Sequence, residues 1–165
     1  MKRFASMTLI LSCLSLSACG NAVFTDVEGQ TGISMTDGSI NIHVAPCSTG
    51  VDYVDISGAN INGVNQSYAN FIADEPESQP FSIDVNAPQE PWRAVSEVTL
   101  PTGEDDLILV LAGSLTEDEQ TTQTNATIGE INTLKEGEIL TTQGEMNVRM
   151  NLEEFNSCTD ESRRV

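Results

Sequence analysis

The chain has 165 residues, with 25 Asp and Glu against 7 Lys and Arg and a formal net charge of −18. That balance excludes nucleic acid as a partner, because phosphate contacts need clustered Lys and Arg, and it excludes direct adsorption to anionic lipid. The length suits one domain, and the surplus of acid reads as a solvated, self-repelling surface that keeps the molecule soluble.

Lys2 and Arg3 open the chain, followed by an apolar stretch from Phe4 to Leu16 built on Leu9, Ile10, Leu11, Leu14 and Leu16. It is too short for a permanent transmembrane helix, which needs about 20 apolar residues, and it has the layout of a secretory signal. Leu16-Ser17-Ala18-Cys19-Gly20 then reads as a lipobox. The expectation is cleavage after residue 18, with the Cys19 thiol as the nucleophile that receives a diacylglyceryl group. Cys13 competes weakly, since cutting there would leave too short an apolar region. Two acyl chains anchor stably where one is marginal, at about 0.8 kcal/mol per buried methylene. Residues 19–30 read as a lipidated tether on the outer face of the cell membrane. In a Gram-negative cell, Gly20 in place of Asp would direct the protein to the outer membrane. Removing residues 1–18 leaves about 147 and takes Lys2 and Arg3 with it, moving the net charge from −18 to −20.

Residues 31–158 carry the signs of an all-β domain. Ile33 and Met35 alternate with polar residues, Asp37-Gly38 supplies a hairpin turn, and Ile40, Ile42 and Val44 alternate again before Pro46. Val51 to Ile56 is a short strand with Asp52 and Asp55 facing out. Ser57 to Gln66, rich in Gly and Asn, reads as a loop. Phe81, Ile83 and Val85 share one strand face; Val95, Val98 and Leu100 suggest another strand. The run Leu107 to Ala112 reads as a central strand, and Leu115 to Asn125 as an exposed acidic loop. Ile128, Ile131 and Leu134 have helical spacing, Lys135-Glu136-Gly137 turns the chain, and Met146, Val148, Met150 and Leu152 mark the last strand. Residues 159–165 read as a disordered tail.

Once Cys19 is lipidated and the signal removed, Cys47 and Cys158 remain, and an even pair in an exported chain points to one disulfide. Closing so long a loop contributes on the order of 4–5 kcal/mol in the chain-entropy model. No CxxC spacing or neighbouring His or Lys marks either thiol as reactive. About seven short strands, polar turns and this bond suggest an Ig-like β-sandwich.

No convergent catalytic set is visible. His43 is the single histidine and stands in a strand, so zinc has no ligand set. Glu104-Asp105-Asp106 and Glu117-Asp118-Glu119 offer oxygens for calcium but lack the alternating pattern and glycine of a calcium loop. Ser114 lacks the second glycine of a nucleophile elbow. Trp92, beside Arg93, reads either as a core plug or as an anchor for a partner.

The lipobox, Val44-Ala45-Pro46-Cys47, Trp92, the run from Thr133 to Thr141 and Phe155-Asn156-Ser157-Cys158 together resemble small surface lipoproteins of actinobacteria, over most of the mature chain. Where that group usually has Pro before the glycine this chain has Glu136, and it is poorer in aromatics. The resemblance implies a Gram-positive membrane surface and brings no catalytic residues. The expected function is that of a non-enzymatic binding or scaffold module with an envelope protein as partner. The alternative is a small-ligand or cation-binding lipoprotein serving a transporter.

Overall fold

Alternating apolar residues and tight turns make strands of most of the described residues. A computed structural model describes residues 26–48 and 50–158; the signal over 1–18, Cys19 with the first part of the tether, and the tail over 159–165 lie outside the described residues. The first half contains β1 (Asp26–Thr36), β2 (Ser39–Ala45), β3 (Val51–Ile61), β4 (Val64–Glu77), β5 (Phe81–Asp84) and β6 (Arg93–Ala94). The second contains β7 (Leu107–Gly113), β8 (Glu119–Thr122), β9 (Thr124–Thr127), α1 (Ile128–Asn132), β10 (Ile139–Gln143), β11 (Met146–Met150) and α2 (Leu152–Asn156). Strand makes up 56% of the described residues.

All eleven strands join one curled, open sheet in the order β11-β10-β1-β8-β7-β3-β4-β6, with β2 bridging β1 to β5 and β9 beside β7. Only β1 and β8 run parallel. The pairing does not divide into two separate sheets, so the Ig-like sandwich of about seven strands is not confirmed. The curl gathers one main core: Ile33, Ile42, Val44 and Ile83 share a cluster with Val54, Ile56, Phe71, Ile108 and Val110, each at most 1% exposed. Burying each such side chain contributes roughly 1.5–3 kcal/mol.

β1 is the hub. It pairs with β2 along most of its length, with β8 from Asp26 to Gln30, and with β10 at Ile33. At the change of partner from β8 to β10, threonine hydroxyls replace missing ladder bonds. Thr31 O accepts from Thr124 Oγ1 at 2.6 Å and from Thr141 Oγ1 at 2.7 Å, while Thr31 Oγ1 lies 2.9 Å from Thr122 O. Thr31, Thr124 and Thr141 are all fully buried, where an unmade hydrogen bond is costly.

The opposite face of β1 carries a second, smaller core. Phe155 of α2 is 0% exposed and clusters with Ala45 and Ile139. Its ring seats in the notch left by Gly32, where an added Cβ would come within 2.7 Å of Phe155 Cε2 and 2.5 Å of Ile139 Cγ2. Gln30 Nε2 donates to the Phe155 carbonyl. Asn151 caps α2 in a reciprocal capping box with Glu154. The Cys47–Cys158 disulfide, with Cα atoms 5.4 Å apart and a sequence separation of 111, locks the exit of α2 to the end of β2.

Five expectations are corrected. Residues 57–66 are not a loop: β3 and β4 continue to a two-residue turn at Asn62 and Gly63, whose φ values of 56° and 88° suit a tight hairpin. Asp52 does not face out; it is 8% exposed and its Oδ1 accepts from Leu115 N–H at 2.7 Å. Residues 95–100 form no strand; Val98 and Leu100 only pack against the core, with Val95 N and Thr99 N donating to β4 carbonyls. Residues 115–125 are not all loop, since they supply β8 and the start of β9. β1 begins at Asp26, inside the stretch read as tether. The short helix after Thr127 and the Asp37-Gly38 hairpin form as expected.

Candidate functional site

β5 and β6 are joined by a proline-rich segment that returns the chain to the edge of the sheet. Trp92 ends it in a turn, its N–H donating to Gln89 O at 2.9 Å. The indole packs inward and stacks on Phe81 with ring centroids 4.7 Å apart. Trp92 is 5% exposed and belongs to the main core. Yet its Nε1–H is a buried donor with no acceptor among the described residues. Leaving such a group unpaired costs about 1–3 kcal/mol.

Arg93, the next residue, lies on β6 opposite Ile72 of β4. Its side chain is exposed, with Nη2 3.5 Å from Asp74 Oδ1, a pair too solvated to add much stability. Asp74, Glu90, Pro91, Trp92 and Arg93 line one depression of about 550 Å³. The fold therefore sets a guanidinium and two carboxylates around a concavity at Trp92. Such a mixed-charge wall suits a group that both accepts and donates hydrogen bonds, as a peptide does. A second concavity, of about 490 Å³, opens beside β8 and is lined by Gln120, Gln123, Asn125 and Thr142 among others, with no charged side chain.

The remaining candidates separate. Cys19 lies outside the described residues. Cys47 and Cys158 are bonded to each other. Asp106 of the first acidic group folds back on its own turn, accepting from Gly103 N–H at 2.8 Å. Next to the second acidic group, Ser114 Oγ accepts from the N–H groups of Thr116 and Glu117. Among the described residues, no three His, Cys, Asp or Glu converge as a metal site.

One juxtaposition was missed in the sequence. Ser34 Oγ lies 2.8 Å from His43 Nε2, a nucleophile and a base within reach of each other across the β1–β2 hairpin. The Asp37-Gly38 turn fixes this: with Gly32 opposite His43 and Ser34 opposite Asn41, the two side chains are diagonal neighbours on one face. Ser34 is 6% exposed, and the imidazole packs edge-on against Phe155 with centroids 5.9 Å apart. Burial holds the His43 pKa down at about 4, so the ring is neutral at pH 7. No carboxylate among the described residues orients the imidazole as a triad requires.

Tested against protein-family models, curated proteins and solved structures, the chain matches none.

Proposed function

We propose that this is a lipid-anchored protein of the outer face of a bacterial cell membrane, working by binding another envelope component rather than by catalysis, with the Trp92–Arg93 depression as its contact. The observation that carries the reading is the depression lined by Asp74, Glu90, Pro91, Trp92 and Arg93, which presents a guanidinium and two carboxylates beside a core-packed tryptophan. Leu16-Ser17-Ala18-Cys19 supports the anchor, and the disulfide suits an oxidising compartment. The curled sheet serves as the rigid body for which an Ig-like sandwich was expected.

The test is crosslinking on living cells producing the full lipidated chain, with a photoreactive residue in place of Arg93 and mass spectrometry of the captured species. A reproducible partner, lost when Asp74→Asn and Glu90→Gln remove the two carboxylates of the depression, is the expected outcome. An intact, surface-exposed protein that captures nothing from this position would overturn the reading. Loss of acyl labelling in Cys19→Ala tests the anchor separately.

A second reading, a small-ligand lipoprotein serving a transporter, draws on the uncharged amide and hydroxyl lining beside β8. It makes the ligand neutral and polar, and predicts a thermal shift with such a compound and none with calcium.

A further inference from the structure

β9 and β10 are neighbours without a shared ladder. β1 pairs with β8 as far as Gln30 and with β10 at Ile33, and across the gap Asn125 N–H donates to Thr142 Oγ1 at 3.0 Å. The second concavity, of about 490 Å³, opens at this interruption in the sheet, and its size lies within the range of small-molecule sites. Gln120, Gln123, Asn125 and Thr142 line it together with half-buried Val27 and Leu111.

The hydrogen-bonding capacity of these side chains is only partly used. Thr142 Oγ1 accepts from Asn125 N–H and donates to Asn147 Oδ1 at 2.9 Å. Gln123 Nε2 donates to Asn125 Oδ1, which fixes the two amides against each other. That leaves Asn125 Nδ2 as a donor, Gln123 Oε1 as an acceptor and the whole Gln120 amide, which makes no side-chain hydrogen bond among the described residues.

A cation finds no carboxylate in this lining, although the chain has 25 acids and Glu28, Glu119 and Glu145 each adjoin a lining residue in sequence. An anion finds no Lys or Arg there and meets a net charge of −18. A wholly apolar ligand would strip water from three amides without replacing their hydrogen bonds. The lining suits a neutral molecule that carries donors and acceptors side by side and has an apolar face.

We infer that this concavity binds a neutral sugar, with neighbouring hydroxyls of a pyranose ring on Gln120, Gln123 and Asn125 and a C–H face of the ring on Val27 and Leu111. Each hydroxyl both donates and accepts, so a vicinal pair engages the Asn125 Nδ2 donor and the Gln123 Oε1 acceptor together. The inference rests on the second reading above, that this concavity takes a neutral polar ligand, and names the class of that ligand. It is independent of the Trp92 depression.

The experiment is a titration of the full chain, in a non-ionic detergent without a sugar headgroup, followed by saturation-transfer NMR and by the backbone amide shifts of residues 120–125. The probes are the methyl glycosides of glucose, galactose and mannose, the disaccharides maltose and cellobiose, and a blocked dipeptide amide as a neutral polar compound of another class. The expected result is that a sugar shifts those amides with a dissociation constant of about 1 mM or tighter. A disaccharide preferred over its monosaccharide marks the ligand as part of a longer glycan, and equal binding marks a free sugar. Gln120→Leu removes an amide at similar bulk, and Asn125→Asp keeps the acceptor for Gln123 but removes the donor; each should weaken binding at least about tenfold. Gln79→Leu, at an exposed amide elsewhere, should leave it within about twofold, and melting temperatures confirm that the variants fold. Sugar binding indifferent to both site variants, or shifts confined to other residues, would overturn the inference. So would a response to the dipeptide amide alone, which leaves the neutral-ligand reading standing, whereas silence from every probe removes both.

Discussion

Acidification should weaken this protein through His43. Its pKa is held at about 4 by burial, against 6.5 for a free imidazole. Above pH 6.5 the ring is neutral in both folded and unfolded chains and contributes no pH dependence. Below that value the unfolded chain takes up a proton that the folded one refuses, so stability falls by about 1.4 kcal/mol per pH unit. The loss levels off below pH 4, where the folded ring also titrates, at about 3 kcal/mol in all. At pH 5.0 the expected share of His43 is about 2 kcal/mol. Carboxylates add their own pH dependence, so the informative quantity is a difference between proteins. Urea unfolding at pH 7.5 and 5.0, followed by the fluorescence of Trp92, would be compared between the parent and His43→Gln, which keeps a polar group near Ser34 but cannot titrate. The parent should lose about 2 kcal/mol more than the variant. Parallel losses, equal within about 0.5 kcal/mol, would refute the argument and mean that the ring is more hydrated than its packing against Phe155 implies.

Other features make separate predictions. Gly32→Val should cost at least about 1–3 kcal/mol in chemical denaturation, because its side chain would overlap Ile139 and Phe155. Thr31→Val conserves shape but removes the hydroxyl that serves the β1 seam, and should lower stability by about 1–3 kcal/mol; an unchanged unfolding midpoint would count against the seam. Replacing both Cys47 and Cys158 with Ser should cost about 2–5 kcal/mol, with faster proteolysis of the end of the chain, and reduction of the parent should reproduce it.

Strands that alternate strictly were legible in the sequence. Ile40, Ile42 and Val44 of β2, and Ile83 with Val85, are buried as their period of two requires. Asn62-Gly63 was equally legible as a turn, but its neighbours are so polar that the segment reads as loop; the arm projects from the body and has no buried face to impose alternation. β8 and β9 were hidden for the opposite reason. Their buried residues include Thr121 and Thr124, which occupy the interior because their hydroxyls bond backbone groups, Ala112 of β7 for Thr121 and Thr31 of β1 for Thr124, and no hydropathy pattern reports that. Asp52 escaped notice because its one partner, Leu115 N–H, lies 63 residues away. Trp92 and Arg93 stood together in sequence, whereas Asp74 and Glu90 join them only through the β4–β6 pairing and the turn before Trp92. The Ser34–His43 contact could have been computed from the hairpin register alone.

The wiring of β1 gives this molecule an unequal vulnerability to damage. Its neighbours β8 and β10, the Phe155 plug on its other face and Cys158 of the cystine bridge all come from the last third of the chain. Folding therefore waits for late-arriving residues, a pattern that slows it. A protease cut just before β10, together with reduction of the Cys47–Cys158 bond, would release the segment that gives β1 both a partner and a cover. A cut at the β3–β4 arm would sever only a projection. The first and last described strands thus behave as one mechanical unit, joined through β10.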